Sequence, residues 1–255
     1  MPMNERKAVR LMPGERIDDL QRGGLRIIQR ADGFRFGTDA VLLADFAAAR
    51  RGERVADMGT GTGVLPLLIS ARAEGTTFDA FEIQPDVADM AERSVALNGL
   101  GARIRIHRAD CRRAADVIGH ESVRLCVTNP PYTRQGAGLV SPEKTRAWSR
   151  SDAPGCTLHA WMTACARVLQ NGGRLCAVFP APRFLELCDA MRAGRVEPKR
   201  VRFVAASQEK PPKLVLLEGI KGGRPGLHVG PLLITHDERG GFTPEMRRIY
   251  GETDA

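Results

Sequence analysis

From residue 54 onward, apolar runs of strand length alternate with segments of helical spacing, and this alternation restricts the chain to few architectures. Residues 54–58, 77–83, 103–107, 123–128 and 174–179 read as strands. Residues 64–73, 86–97, 158–169 and 182–191 read as helices, with a short helix starting at Cys111. Pro85 suits a first helical turn and Gly99 a C-terminal cap. Such a succession needs crossovers that lay helices on both faces of a parallel sheet. The end of the chain breaks the pattern. Strand-like runs at 200–205 and 214–220 are joined by 207–213, too short for a parallel crossover, so one of them must run antiparallel. A late strand at 232–235 and a short helix at 244–250 close the chain.

Ahead of the alternation, 17–20 and 25–29 flank Gly23-Gly24 and read as a hairpin. Thr38 or Asp39 can cap a helix running to about Ala48, with Val41, Leu42, Leu43 and Phe46 as its apolar face. Residues 1–50 are therefore expected to form a lid-like extension of hairpin and helix on a domain spanning 51–255.

Composition narrows the class of partner. The 255 residues carry a formal net charge of +8, which favours a polyanion such as RNA or, equally, a solvated basic surface. Basic residues crowd the first 35 positions and recur at Lys199, Arg200, Arg202, Lys210 and Lys213. The six cysteines include no C-x-x-C pair, and neither His107 nor His120 has ligand-like neighbours, so no metal is expected. Cysteines inside apolar strands fit a reducing cytosol. The polar, charged start and the interruption of the longest apolar stretch, 40–49, by Asp45 point to a cytoplasmic protein with no membrane span.

The first strand leads into Asp57-Met58-Gly59-Thr60-Gly61-Thr62-Gly63. Glycines at such a turn let a ligand approach the backbone, and the helix that follows presents unpaired N–H groups. A nicotinamide dehydrogenase uses a related turn. Here the third glycine falls two positions after the second rather than three, and Asp57 would repel a pyrophosphate. A sulfonium cofactor has no phosphate and carries a cationic amino group that tolerates Asp57. Glu82 ends the second strand, where a carboxylate can accept both ribose hydroxyls. Asp110 follows the third strand and can take an adenine amino group. Each alone reads equally well as a cap or surface group; together, at adjacent strand ends, they form a cofactor crevice.

Asn129-Pro130-Pro131-Tyr132 follows the fourth strand. The dipeptides Asn-Pro and Pro-Pro mark ordinary turns. The same tetrapeptide can also hold a planar amino group, through the Asn129 side-chain oxygen and the Pro130 carbonyl, while Tyr132 stacks on the ring. Two acceptors keep the nitrogen lone pair out of conjugation and make it a better nucleophile. With the glycine turn, this points to methyl transfer from S-adenosylmethionine to a planar nitrogen. Phe34, Phe36 and Trp148 are further stacking candidates. The unpatterned segment 133–155, carrying Arg134, Lys144, Arg146 and Arg150, is expected to be a substrate lid.

These residues resemble a class I methyltransferase. The stretch from Gly33 through Phe36, Gly37-Thr38-Asp39 and on to Ala44 resembles the segment before the glycine turn in the bacterial tRNA1(Val) (adenine-N6)-methyltransferase family. The turn at 219–223 and Phe242-Thr243-Pro244-Glu245 are similar to that family's ending. The resemblance implies a Rossmann-like α/β fold, with a seven-stranded, mostly parallel sheet holding one antiparallel strand. It implies S-adenosylmethionine as cofactor and an adenosine beside the anticodon of a tRNA as substrate. By the same resemblance Gly37, Thr38, Asp57, Gly59 and Gly61 approach the methionine end of the cofactor, and Glu82 and Asp110 its adenosine. Asn129 serves both cofactor and base, with Pro130, Pro131 and Tyr132 beside the base. Because Asn-Pro-Pro-Tyr is shared with DNA, rRNA and protein-glutamine methyltransferases, those acceptors stay open, as does a silent cofactor- or RNA-binding protein.

Overall fold

The computed structural model describes residues 9–32, 36–131 and 157–252. Strands β1 (Glu15–Asp19) and β2 (Arg26–Arg30) pair as an antiparallel hairpin, followed by α1 (Thr38–Phe46). Next come β3 (Arg54–Met58), α2 (Val64–Ser70), β4 (Thr77–Glu82), α3 (Pro85–Leu97) and β5 (Ile104–Arg108). A 3-10 turn at Cys111–Arg113 leads into α4 (Ala114–Ile118) and β6 (Val123–Thr128). The chain continues with α5 (Leu158–Val168), β7 (Leu169–Pro180), α6 (Phe184–Ala193), β8 (Val196–Ala205) and β9 (Leu214–Lys221). Two-residue strands β10 (His228–Val229) and β11 (Leu233–Ile234) and helix α7 (Pro244–Tyr250) end it.

One sheet runs in the order β10-β8-β9-β7-β6-β3-β4-β5, with β11 beside β8. Strand β9 is antiparallel to both β7 and β8, and every other pairing in this sheet is parallel. The expected seven-stranded, mostly parallel sheet is present, with β10 and β11 added at one edge. Chain order reverses between β3 and β6, which opens a crevice beyond their carboxyl ends.

Strand β7 begins earlier than its apolar run, directly at the end of α5. Its register against β6 jumps from Val123–Leu169 to Leu125–Arg174, so residues 170–173 bulge out of the ladder.

Helix α1 belongs to the main core. Ala40 to Ala44 and Phe46 are buried among residues of β3, α2, β7, β9 and α7, which is the pattern of a helix enclosed on several sides. The expected division at residue 50 therefore crosses continuous packing. The hairpin instead docks on α3. The Ile28 amide donates to Ser94 Oγ (2.9 Å), Asn98 exchanges two hydrogen bonds with the Arg26 backbone, and Arg93 grips both oxygens of Glu15 at 2.6 Å. The Arg93 guanidinium holds the Glu15 carboxyl below its usual range, outweighing partial burial, which acts in the opposite sense.

This bidentate pair predicts the effect of removing it. Replacing Arg93 by alanine strips the shielded Glu15 of its guanidinium, leaving it the Met12 amide, and should cost roughly 1–3 kcal/mol. Hydrogen exchange should quicken in residues 15–30 and stay slow in β3 and β6. Uniform quickening would mean that the hairpin and the sheet unfold as one unit.

Candidate cofactor and acceptor site

The site lies beyond the carboxyl ends of β3, β4, β5 and β6. Met58 pairs with Phe81 on one side and Thr128 on the other, and Glu82 pairs with Arg108. The residues that follow, Gly59, Asp110 and Asn129, thus emerge along one edge of the sheet with Glu82.

Three contacts shape the glycine turn. The amides of Gly59 and Thr60 both donate to the Phe81 carbonyl, at 3.0 and 2.8 Å, so the turn folds over the end of β4. Gly59 has φ +79° and packs against Trp161 of α5, where an added Cβ would stand 2.9 Å from Cζ2. The indole is pinned in turn, since Trp161 Nε1 donates to Thr128 Oγ1 (2.9 Å), which donates to the Met58 carbonyl (2.8 Å). This buried chain ties the ends of β3 and β6 to one helix.

The three carboxylates expected at the strand ends differ in how they are satisfied. Glu82 is 7% exposed and accepts from the amides of Gly61 (3.1 Å) and Gln84 (2.9 Å). Burial raises its pKa despite those two bonds. Asp57 is completely buried, and neither of its oxygens meets a hydrogen-bond partner. Burial pushes its carboxyl up to about 7, opposed by the neighbouring Thr60 hydroxyl and reinforced by the Glu82 charge. Asp110 caps the 3-10 turn through the Arg112 amide (2.9 Å) and binds the Arg112 guanidinium with both oxygens. Burial raises its pKa, and these bonds more than offset it, so the net shift is downward. For Asp110 the capping role is thus realised in the structure.

At the end of β6, Asn129 is half-buried and Pro130 buried. Asn129 Nδ2 donates to Asp39 Oδ2 at 2.9 Å. The cap expected from Thr38 or Asp39 is not made. Gly37 is the N-cap residue, without a side-chain bond, and the Asp39 carboxylate turns instead to Asn129 and to the Ala40 amide (2.9 Å). Thr38 Oγ1 accepts from Tyr250 Oη at 3.4 Å, which joins this corner to the C-terminal helix. Phe36 packs on the core, whereas Phe34, Tyr132, Trp148 and the expected lid at 133–155 lie outside the described residues.

Sequence reasoning treated Asp39 only as a cap and passed over Thr128 and Trp161. No local signal marks them, since their partners stand 90, 70 and 33 residues away. Among the described residues there is no His, Cys, Asp or Glu cluster able to hold a metal ion. No helix there is long and apolar enough to cross a membrane.

Comparison with known proteins gives the family and the fold. Residues 31–144 match the methyltransferase small domain family. A tRNA1(Val) (adenine(37)-N6)-methyltransferase of Erwinia tasmaniensis is 32% identical over 187 residues, covering 71% of this chain and 73% of the relative. One of the same description from Musicola paradisiaca is 29% identical over 241 residues, covering 86% and 93%. Among solved structures, a predicted O-methyltransferase from Agrobacterium tumefaciens superposes with a TM-score of 0.69 at 24% identity, covering 85% of this chain and 97% of its own. At that identity the likeness is one of fold.

The orphaned Asp57 generates a pH prediction. A carboxyl whose folded pKa lies above its unfolded value contributes stability that is complete in acid and lost as pH rises through the folded pKa. In the ligand-free protein that loss runs from about pH 4 to about pH 7. Asp57→Asn, which never ionises, should melt above wild type, with a gap that widens over this window and levels off beyond it. A gap independent of pH would mean that Asp57 ionises at its ordinary pKa.

Proposed function

Because the chain belongs to the family of tRNA1(Val) (adenine(37)-N6)-methyltransferases, we propose that it methylates the N6 amino group of an adenine beside the anticodon of a tRNA. The observation that carries this reading is the juxtaposition of Asn129-Pro130-Pro131 at the end of β6 with the glycine turn at the end of the adjacent β3. The first presents acceptors for a planar amino group, and the second borders a buried, unsatisfied carboxylate.

The protein is an S-adenosylmethionine-dependent N-methyltransferase, and the residues around the glycine turn suit that cofactor. Asp57 offers two oxygens with no partner in the protein, fit for a cationic amino group. Gly61 has open space around the position of an absent Cβ, so the backbone can be approached closely. Glu82 uses one bond per oxygen on the turn, leaving acceptor capacity for ribose hydroxyls. Gly37, Thr38, Gly59 and Asp110 complete the proposed cofactor surface. Bound there, S-adenosylmethionine supplies an electrophilic methyl carbon.

The chain's own contribution is orientation and polarisation. Asn129 Oδ1 and the Pro130 carbonyl accept the two amino hydrogens, so the nitrogen lone pair is directed out of the ring's conjugation. Pro131 fixes the backbone, and Tyr132 is assigned the stacking face for the base. Such positioning by fixed dipoles acts without reorganisation during the reaction. No strong base is required, since the nitrogen sheds its proton only after becoming cationic.

RNA as partner is supported by the net charge of +8 and by exposed Lys210 and Lys213 in the β8–β9 connection, on the same edge of the sheet as the site. Adenine N6 is stacked and paired in a duplex, so the target must sit in a single-stranded loop or flip out. The buried thiols of Cys111, Cys126, Cys165, Cys176 and Cys188 fit a cytoplasmic enzyme.

Tritiated methyl transfer to a tRNA fraction, followed by nucleoside analysis, tests the reading. N6-methyladenosine is the expected product, and RNA affinity should fall steeply with salt. Asn129→Ala should slow single-turnover transfer, at saturating cofactor, by about ten- to a thousandfold. Label appearing in protein as methylglutamine, or an undiminished rate in folded Asn129→Ala, would overturn it.

A further inference from the structure

An asparagine amide has two nearly isosteric orientations, and only one is useful to an amino acceptor. If Asn129 is to receive a hydrogen from an exocyclic NH2, its oxygen must face the base and its own NH2 must face elsewhere. Covalent geometry alone does not choose between them.

Asp39 favours one of them. A carboxylate only accepts hydrogen bonds, so of the two amide ends only Nδ2 can face it, as found at 2.9 Å. The Oδ1 atom then lies on the other branch of the amide fork. Asp39 is itself held, because its second oxygen accepts from the Ala40 amide (2.9 Å) in the first turn of α1. The residue two positions before it must leave room for this conformation. A Cβ at Gly37 would stand 2.6 Å from Asp39 Oδ1, although Gly37 has φ −100° and needs no glycine for its backbone. Gly37 is therefore small for the sake of the carboxylate beside it.

We propose that Asp39 is a positioning residue for methyl transfer, fixing the Asn129 amide with its oxygen toward the acceptor nitrogen. The proposal rests on the reading of Asn129 as the residue that holds the base. It gives Gly37 and Asp39 a role in nucleophile geometry, separate from any contact Gly37 or Thr38 makes with the cofactor. Without an acceptor at position 39 that hold on the NH2 is lost, and an NH2 turned toward the substrate would set donor against donor.

A double-mutant cycle on single-turnover transfer, at saturating S-adenosylmethionine and tRNA, tests this. Asp39→Ala should slow transfer about ten- to a hundredfold with calorimetric cofactor affinity unchanged. The same substitution made in Asn129→Ala should cost less than threefold more, because the amide it orients is gone. Asp39→Asn keeps the size and can still offer an oxygen, so it should fall between wild type and Asp39→Ala. It also serves where Asp39→Ala does not fold. A full rate in folded Asp39→Ala or Asp39→Asn, or losses that multiply in the double variant, overturns the positioning role and leaves the Asn129 assignment standing. A full rate in Asn129→Ala overturns both.

Discussion

Helix α1 is fastened at both ends, and the geometry of the acceptor site depends on it. No basic residue in its last turn is available to meet its terminal carbonyls. Two strands supply the missing donors: Arg200 reaches the Phe46 carbonyl at 2.7 Å, and Arg174 reaches those of Ala47 (2.8 Å) and Ala48 (3.4 Å). Glu218 bridges both guanidiniums, Glu53 takes the far side of Arg174, and the Arg200 guanidinium lies 4.0 Å over the Phe46 ring. Positive charge at a helix C-terminus complements its dipole, and here it also satisfies carbonyls that would otherwise be stranded. A slip of α1 by one residue is a translation of about 1.5 Å, enough to take Asp39 out of hydrogen-bond range of Asn129. The network at the amino edge of the sheet thus sets the position of a side chain at the carboxyl edge.

How much of this was legible in the sequence depends on how local its cause is. Strand β6 and helix α7 fall residue for residue where the apolar pattern placed them, because turn formers bound both. The antiparallel β8–β9 pair followed from a connection too short for anything else. The start of β7 was hidden by Gln170-Asn171-Gly172-Gly173, four residues that look like a loop and do bulge from the ladder, yet continue the strand. Strand β10 holds two residues, below the length at which any period is readable, whereas β11 (Leu233–Ile234) falls inside the strand expected at 232–235. Helix α1 was visible as a helix, but its place in the core was not. That place comes from α7 and from strands more than 100 residues later, joined by contacts no window along the chain contains.

The same distinction explains why the site residues carry unequal signals. Asp57, Glu82, Asp110 and Asn129 announce themselves because each stands at the end of a strand, where an open α/β sheet gathers ligands. What the sequence does not convey is which of them the protein has already satisfied. Asp110 is matched by Arg112, and Glu82 by two amides, whereas Asp57 is enclosed and makes no hydrogen bond. A buried carboxylate without a donor is costly, and folding alone gives no reason to keep one. Asp39 presents the opposite case, a carboxylate engaged by Asn129 and the backbone, whose proposed value lies in the orientation it imposes. Under the proposed function the unsatisfied group is where a cation would be received, and the satisfied one holds the Asn129 NH2 in one direction. Two aspartates thus differ by what the fold has placed beside them: one is buried without a hydrogen bond, and the other is met by an N–H on each oxygen.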